Sequence, residues 1–461
     1  MEVLAELSTA VATTAKPALP MILLGGVMTL TYLAIAFDWL NKSLAAMLGA
    51  LVCVALALAL GVFRDEAGHS AYDRAVHDII GHDLGVIGVI IGTSVLVEIA
   101  SRSGLFHFIA IKIVKATHGD PWLLLAAMSV ATVLFVTFLT IAPGSLIMVS
   151  LALVVTRELE LDPRPYVLAV ALCANSGALM TFASGICTLM LGTAGNLEYV
   201  HFFWVTTPLA ILTAAIAWAV INWKYRHCLN GGATPEERRA KVASFDEWAL
   251  VKDRRLFYRC SAILLATIVG FGTARSLGIG LDFVAFAGAT LALLASGIYP
   301  DEAIKRVNWA LILFFVGLFV IIGSVQETGL LAWQAEQMVA LSGGDGLAVM
   351  MILGVFVLTV GGVMDNIPVA ATMIPIVRSM EMQGIAADPL WWTLVVTANL
   401  SGNTTPIGSV SSVIALGALE KERGVKIGWG EFFKVGGVAI VLQSILALGC
   451  LALFYVLDLF P

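Results

Sequence analysis

The sequence predicts an all-α integral membrane protein with two inverted-topology repeats, each holding about five crossings, a re-entrant helical hairpin and a broken helix. Three observations lead to this fold class. Of the 461 residues, 59% are hydrophobic and only 13% are charged, whereas a soluble domain carries about 25% charged residues. The windows 121–156 and 166–197 contain no Asp, Glu, Lys or Arg, and such continuous apolar runs favour helices over the alternating segments of a barrel. The third observation is an internal repeat.

Apolar runs of span length indicate ten crossings. They are 19–37, 44–62, 85–101, 166–195, 201–222, 258–276, 282–298, 309–325, 390–419 and 431–457. Trp391, Trp392 and Trp429 are expected to anchor the ends of spans at the membrane interface.

The longest polar stretch, 224–259, holds nine of the 26 Lys and Arg residues. Because basic loops face the cytoplasm, we expect this stretch inside and both termini outside. This topology divides the chain into four parts. They are an N-terminal segment 1–18, a first repeat 19–223, a cytoplasmic linker 224–257 and a second repeat 258–461.

Two apolar segments, 121–156 and 346–380, are too long for single spans and carry prolines near their middles, Pro143 and Pro368. A helix covering the first would reach about 54 Å, against a hydrocarbon core of about 30 Å. We interpret both as re-entrant hairpins, whose tips are tolerated at membrane depth only where backbone is buried in protein or lines a cavity.

A shift of 225 residues aligns the two halves. It pairs Ser103-Gly104-Leu105 with Thr328-Gly329-Leu330, Pro143 with Pro368, Ser176-Gly177 with Ser401-Gly402, Ser184 with Ser409 and Gly192 with Gly417. An odd number of crossings per half inserts the second copy upside down, which is the plan of secondary transporters.

Small and polar residues interrupt the apolar helices 166–195 and 390–419. Gly and Pro weaken a helix, and the exposed ends of a broken helix can bind an ion or a small solute at the midplane. The alternative is a kinked span whose hydroxyls bond their own backbone. The candidate substrate or ion ligands are Asn366, Ser401, Asn403, Thr404, Thr405 and Ser409 in the second repeat, and Asn175, Ser176, Thr181 and Ser184 in the first.

Asp365 is the one charged residue of 346–377 and stands at the tip of the second hairpin. An ionisable group at that depth costs about 3 kcal/mol or more, so Asp365 is predicted to be a cation ligand or a proton carrier. Asp is also a good N-cap, and both roles can coexist. Glu98, the other carboxylate within a span, is the second candidate for proton coupling, or else a partner of Arg102.

Several classes of function are disfavoured. The six cysteines show no metal-site spacing, and we expect neither a metal site nor a cofactor. No Walker-type loop is present, so this chain is not expected to hydrolyse ATP. No His lies in the hairpins or breaks, which separates any nucleophile from a base. We therefore expect neither an enzyme nor a nucleic-acid partner.

The second half carries Met364-Asp365-Asn366-Ile367-Pro368, Met373-Ile374-Pro375, the stretch 401–409 and Gly417-Ala418-Leu419-Glu420-Lys421. These motifs resemble the ArsB/NhaD branch of the ion transporter superfamily. That branch includes arsenite permeases, sodium/proton antiporters and the P-protein, with citrate and dicarboxylate carriers more distant. The resemblance implies a scaffold, a moving transport domain and often a homodimer. The first half departs from the pattern, since Thr140-Ile141 stands where the family commonly has Asp-Asn.

We therefore expect a proton-linked secondary transporter of a small inorganic solute in the cell membrane, the inner membrane if bacterial. Because no Lys or Arg lies at the hairpin tips or breaks, a polycarboxylate would be poorly compensated without a bound cation. Arsenite or antimonite efflux is the first expectation, sodium/proton antiport the second and carboxylate or other anion transport the third, with an ion channel remaining. The expected partners are the solute, a coupling proton or sodium, membrane lipid, a second copy and, for an arsenite pump, an accessory ATPase.

Overall fold

A computed structural model describes residues 18–37, 39–63, 84–182, 184–229, 234–249, 251–274, 276–305 and 307–461. Within these ranges every regular element is a helix, and the all-α membrane fold class is confirmed. The predicted N-terminal segment 1–18 lies outside the described residues except for Ala18, which begins the first helix.

The helices follow the predicted order. Their bounds are α1 Ala18–Ala36, α2 Lys42–Ala59, α3 Leu84–Arg102, α4 Leu105–Ala116, α5 Pro121–Leu139, α6 Ile141–Glu158, α7 Arg164–Gly177, α8 Ile186–Ala194, α9 Tyr199–Tyr225, α10 Pro235–Ala243, α11 Arg254–Thr273, α12 Leu281–Ser296, α13 Pro300–Ile304, α14 Trp309–Glu327, α15 Leu330–Leu341, α16 Gly346–Val363, α17 Asn366–Met382, α18 Ala387–Ser401, α19 Val410–Arg423 and α20 Trp429–Val456. A π-helical turn, Phe433–Gly437, lies within α20.

Ten of the described helices are long and apolar enough to cross a membrane. Seven of them coincide with predicted spans, and the other three, α5, α6 and α16, are limbs of the two hairpins. Each of these limbs has 18 or 19 residues and is about 27 Å long, close to the thickness of a hydrocarbon core. A hairpin returns the chain to its starting side whatever depth its tip reaches.

The 225-residue repeat is visible in the helix bounds. Both ends of α3 shift by 225 residues onto the ends of α14, and both ends of α4 shift by the same amount onto α15. The turns before α4 and α15 also match, because Gly104 and Gly329 both adopt the left-handed conformation, with φ of 82° and 83°. A side chain is strained there, so glycine is required at both positions.

The chain forms two compact units. The first contains α1, α2, α14, α15 and the C-terminal part of α17. In this unit α2 packs closely on α14, since a Cβ on Gly317 would lie 2.7 Å from the backbone of Ala46. Tyr32 Oη also lies 2.6 Å from Thr372 Oγ1, and this bond ties α1 to the end of α17.

The second unit contains the first hairpin, the turn of the second hairpin and both broken helices. Two broken-helix segments form its centre, since residues 165–177 of α7 and 389–401 of α18 are all buried. Trp391 and Trp392 are 2% and 0% exposed, so the expectation that they are interfacial anchors is wrong. Trp429 is half exposed at the start of α20, which is compatible with that role.

Residues 245–248 of the polar linker pack on α4 in the same unit. Lys115 Nζ of α4 lies 2.7 Å from Glu247 Oε2 and donates to Phe245 O at 3.0 Å. The ring of Trp248 lies 4.5 Å from that of Phe108, also on α4. Lys115 lowers the pKa of the Glu247 carboxyl by hydrogen bonding to it. The linker is therefore held against α4 by one ion pair and an aromatic contact.

Candidate functional site

The first broken helix is interrupted between Gly177, where α7 ends, and Ile186, where α8 begins. A Cβ on Gly177 would lie 2.7 Å from Val133 O, so α5 of the first hairpin packs directly on the break. Ser184 Oγ lies within 2.5 Å of the carbonyl oxygens of Ala178 and Thr181. Ser184 thus bonds the backbone of the break itself, which was the structural alternative for this segment.

The second broken helix is interrupted between Ser401 and Val410. Ser409 is the N-cap of α19 and accepts a hydrogen bond from Ser412 N at 3.3 Å. The break packs on α16 of the second hairpin, because a Cβ on Gly362 would lie 2.5 Å from Thr404 Cβ. Each break is therefore seated against a limb of its own hairpin through a glycine contact.

The two breaks contact each other through buried amides. Asn175 Nδ2 donates to Asn403 Oδ1 at 2.8 Å and to Ser409 Oγ at 3.1 Å. Asn175 and Asn403 are fully buried, and Ser409 is 2% exposed. Asn175 is thus joined in one hydrogen-bonded group to two candidate residues that lie more than 225 positions away.

Two members of this group were missed by sequence reasoning. Asn403 Nδ2 donates to Gln443 Oε1 at 3.0 Å, and Gln443 Nε2 donates to Thr213 O at 2.8 Å. Thr213 Oγ1 lies 3.0 Å from Ser176 Oγ and so brings that candidate residue into the group. The available signal was weak, because Gln443 in α20 and Thr213 in α9 are scattered polar residues within long apolar spans.

Several buried polar atoms in the broken helices and at the tip of the second hairpin have no hydrogen-bond partner among the described residues. They are Asn175 Oδ1, Asn366 Nδ2, Asn399 Oδ1, Thr404 Oγ1 and Thr405 Oγ1. Buried polar groups in proteins are nearly always hydrogen-bonded, and an orphaned one costs about 1–3 kcal/mol. Unpartnered groups around two broken helices and a hairpin tip are typical of a place where a ligand or water completes the bonding.

The two predicted carboxylates have different surroundings. Asp365 is 7% exposed, and its Oδ1 accepts a hydrogen bond from Ile367 N at 3.2 Å, so it does cap the start of α17. Glu98 Oε1 accepts from Arg102 Nε at 2.8 Å, and Arg102 also lies 3.5 Å from Glu302. Glu98 therefore has the Arg102 partner that the sequence suggested.

A small cavity lies beside the tip of the first hairpin. Apolar residues line it together with Thr93, Thr137, Thr140, Thr181, Thr267 and Tyr199. Its volume of about 30 Å³ is enough for a water-sized particle. Thr181 is the one candidate residue on its wall. No charged side chain is among the described residues that line the cavity.

Comparisons with known proteins agree with this architecture. The citrate transporter family, CitMHS, matches residues 32–397. A 46 kDa membrane protein of Mycobacterium leprae is 29% identical, over 91% of this chain and 96% of its own length. The P protein of Sus scrofa is 24% identical over 90% of this chain, which spans 57% of that larger protein. The crystal structure of the Alcanivorax borkumensis YdaH transporter shares the fold, with a TM-score of 0.63, 12% identity and coverage of 92% of this chain and 100% of that one.

These similarities are consistent with the ion transporter superfamily, and the placement in its ArsB/NhaD branch stays a prediction. They identify a multi-pass membrane protein that moves a small solute through a lipid environment. The family match covers well over half of the chain. The chain belongs to the citrate transporter family, CitMHS, and is a secondary transporter rather than an enzyme.

Proposed function

We propose that this protein carries a small polycarboxylate across the membrane together with a compensating cation, and that both bind where the two broken helices meet. The family's description as citrate transporters supports the carboxylate. Carboxylate transport was the third expectation from the sequence, and with this support we propose it first. Arsenite or antimonite efflux and sodium/proton antiport become the alternatives.

The observation that carries the proposal is the buried contact between the breaks. Asn175 donates to both Asn403 and Ser409. Thr405 Oγ1 in the second break and Asn366 Nδ2 at the tip of the second hairpin are buried and have no hydrogen-bond partner among the described residues. The breaks also start two helices, α8 and α19. Helix N-termini present N–H groups that favour carboxylates, and the hydroxyls and amides supply further donors.

Charge balance requires the cation. The breaks 178–185 and 402–409 contain no Lys or Arg, so an anion there would be desolvated without a protein countercharge, which is costly. A cation that travels with the solute removes this cost. Asp365, the one carboxylate at a hairpin tip, is then the group we propose for proton coupling, with Glu98 as the second candidate because it is already paired with Arg102.

The second candidate function is arsenite or antimonite efflux. An uncharged lining of amides and hydroxyls suits a neutral trihydroxy solute, and no cation would then be needed. In that case an accessory ATPase is a candidate partner. A homodimer is proposed for either function.

A substrate panel in proteoliposomes tests the proposal. Citrate, arsenite, antimonite and sodium are offered with and without an imposed pH gradient, and citrate is offered with and without mono- and divalent cations. Accumulation of citrate that requires a cation is the expected result. Uptake of arsenite or antimonite, with no movement of citrate under any condition, would overturn the carboxylate and support the alternative.

A variant pair tests the location. Asn403→Ala combined with Thr404→Ala should abolish transport while the protein stays folded, because it removes two side chains of the second break. Thr290→Ala is the matched control, since Thr290 is exposed on α12 and bonds only its own helix in the described contacts. Unchanged transport in the double variant would move the site elsewhere.

A further inference from the structure

Three buried amide side chains form a continuous head-to-tail chain across the second unit. Asn175 donates to Asn403, Asn403 donates to Gln443, and Gln443 donates to a backbone carbonyl. The three side chains are each 0% exposed. This chain of hydrogen bonds connects α7, the second break, α20 and α9.

The donor-to-acceptor direction of these hydrogen bonds is fixed by the acceptor at one end. The final acceptor is Thr213 O on α9, a carbonyl that can only accept. Gln443 must therefore present its NH2 group to Thr213 and its Oε1 to Asn403. Asn403 must in turn present Oδ1 to Asn175. Turning any one amide over would place two acceptors or two donors face to face.

The fixed direction of the hydrogen bonds also determines how the Asn175 amide is oriented. Its NH2 group is committed to Asn403 and Ser409, and its Oδ1 has no partner among the described residues. Chains of hydrogen bonds polarise one another, so an amide that donates twice becomes a stronger acceptor at its oxygen. An electropositive ligand atom is the partner that such an oxygen favours.

We propose that Gln443 is a positioning residue, which fixes Asn175 Oδ1 as the acceptor for an electropositive atom of the transported species. The inference rests on the proposed function, in which the breaks bind the solute and its cation. The electropositive atom is either the cation itself or an acidic hydrogen of the solute.

Two substitutions at Gln443 distinguish a role in positioning Asn175 through hydrogen bonds from a role in packing alone. Gln443→Met keeps the volume but has no donor. Gln443→Glu, when protonated, can donate to Thr213 O and accept from Asn403, so it preserves the chain. Ser444→Ala, at the neighbouring position on α20, is the matched control. Solute exchange is measured with about pH 5.5 on both sides, which removes the gradient as a variable.

The expected result is a KM at least tenfold higher for Gln443→Met, a KM within about twofold of wild type for Gln443→Glu, and little change in kcat for either. A filling role would raise KM equally in both, and that result overturns the inference. If Gln443→Met does not fold, the pH dependence of KM in Gln443→Glu tests the inference by itself. Its KM should then rise relative to wild type as the pH is raised and the acid loses its only donor, and a KM raised equally at every pH overturns the inference.

Asn175→Ala distinguishes this inference from the proposed function. If Gln443 acts through Asn175, adding Gln443→Met to Asn175→Ala should raise KM no further. A KM raised by Asn175→Ala but not by Gln443→Met leaves the proposed site in place and overturns the role of Gln443. An unchanged KM in Asn175→Ala removes the site itself.

The same variants identify the electropositive atom. Half-maximal concentrations are measured for citrate at saturating cation and for the cation at saturating citrate. A larger shift in the cation's value for Asn175→Ala assigns Asn175 Oδ1 to the cation, and a larger shift in citrate's value assigns it to the solute. A shift in neither overturns the assignment of an acceptor role.

Discussion

Asp120 and Asp345 lie 225 residues apart and cap equivalent helices with the same bond. Asp120 Oδ1 accepts a hydrogen bond from Leu123 N at 2.8 Å, and Asp345 Oδ2 accepts one from Ala348 N at 2.9 Å. These caps begin α5 and α16, the first limbs of the two hairpins. Both hairpins are thus started by identical local chemistry.

Removing either N-cap side chain should lower the free energy of unfolding by the same amount. Asp120→Ala and Asp345→Ala should each lower the free energy of unfolding by about 1 kcal/mol, whereas Asn at either position should change it little. Thermal unfolding of the purified protein measures both. A loss at one position and none at the other would contradict the equivalence of the two caps.

The amide contact between the breaks should show energetic coupling. Asn175→Leu leaves Asn403 Oδ1 without its donor, and an unsatisfied buried group costs about 1–3 kcal/mol. Asn403→Leu should have a similar effect on the other side. The double variant should be less destabilised than the sum of the two, with a coupling energy of about 0.5–3 kcal/mol. Strict additivity in the unfolding measurements would show that the contact carries little energy.

Asp365 should separate stability from coupling. Asn can accept the bond from Ile367 N as Asp does, so Asp365→Asn should keep the melting temperature. We expect it to lose gradient-driven accumulation while retaining exchange of solute down its own gradient, because the amide cannot carry the proton. Asp365→Ala should lose the cap as well. Wild-type accumulation in Asp365→Asn would transfer the coupling role to Glu98.

The docked linker should make stability depend on pH through Glu247. Its pKa is lowered by the hydrogen bond from Lys115, so the pair stabilises the fold above the ordinary carboxyl pKa of 4.5. That contribution is lost as the pH falls through the lowered value. Lys115→Met should lower the melting temperature at about pH 7, and the difference from wild type should shrink towards about pH 3. A difference that stays constant with pH would exclude the ion pair as its cause.

The predicted sidedness can be measured at two matched alanines. Ala240 on α10 and Ala340 on α15 are both exposed, and they lie in segments predicted inside and outside. The six native cysteines are free, and four of them are buried. In a background with Cys228 and Cys450 changed to Ser, an impermeant thiol reagent on intact cells should label Ala340→Cys and spare Ala240→Cys. The reverse pattern would invert the topology.

Long apolar runs made most of the fold predictable. The predicted span 85–101 became Leu84–Arg102 because its length and its flanks are set by the apolar run itself. The start of α11 was placed at residue 258 but lies at Arg254, since Asp253 caps the helix there and the charged first turn is invisible to a hydropathy reading.

The polar site was predictable only in part. A polar cluster such as 401–409 interrupts an apolar span and is visible in the sequence. Asn403 and Ser409 could therefore be predicted as candidate ligands. Gln443 could not, because an isolated Gln-Ser pair in an apolar helix forms no polar cluster, and the importance of Gln443 arises from a partner 40 positions away. The start of α10 has a recognisable sequence signature, the capping box of Thr234 and Glu237. The docking of Glu247 and Trp248 on α4 depends instead on contacts between residues far apart in the sequence.

Two contacts with Asn403, one of them from the π-helical turn, limit how α20 can vary in length. Gly436 lies in that turn, where a Cβ would be 3.1 Å from Asn403 O, and Gln443 bonds the side chain of the same asparagine. Gly436 and Gln443 are seven positions apart, which places them two helical turns apart on one face of the helix. A single residue inserted between them would rotate Gln443 by about 100° away from Asn403, whereas an insertion beyond Gln443 would leave both contacts in place. Insertions and deletions among homologues should therefore be excluded from 437–442 and tolerated near the C-terminal end of α20.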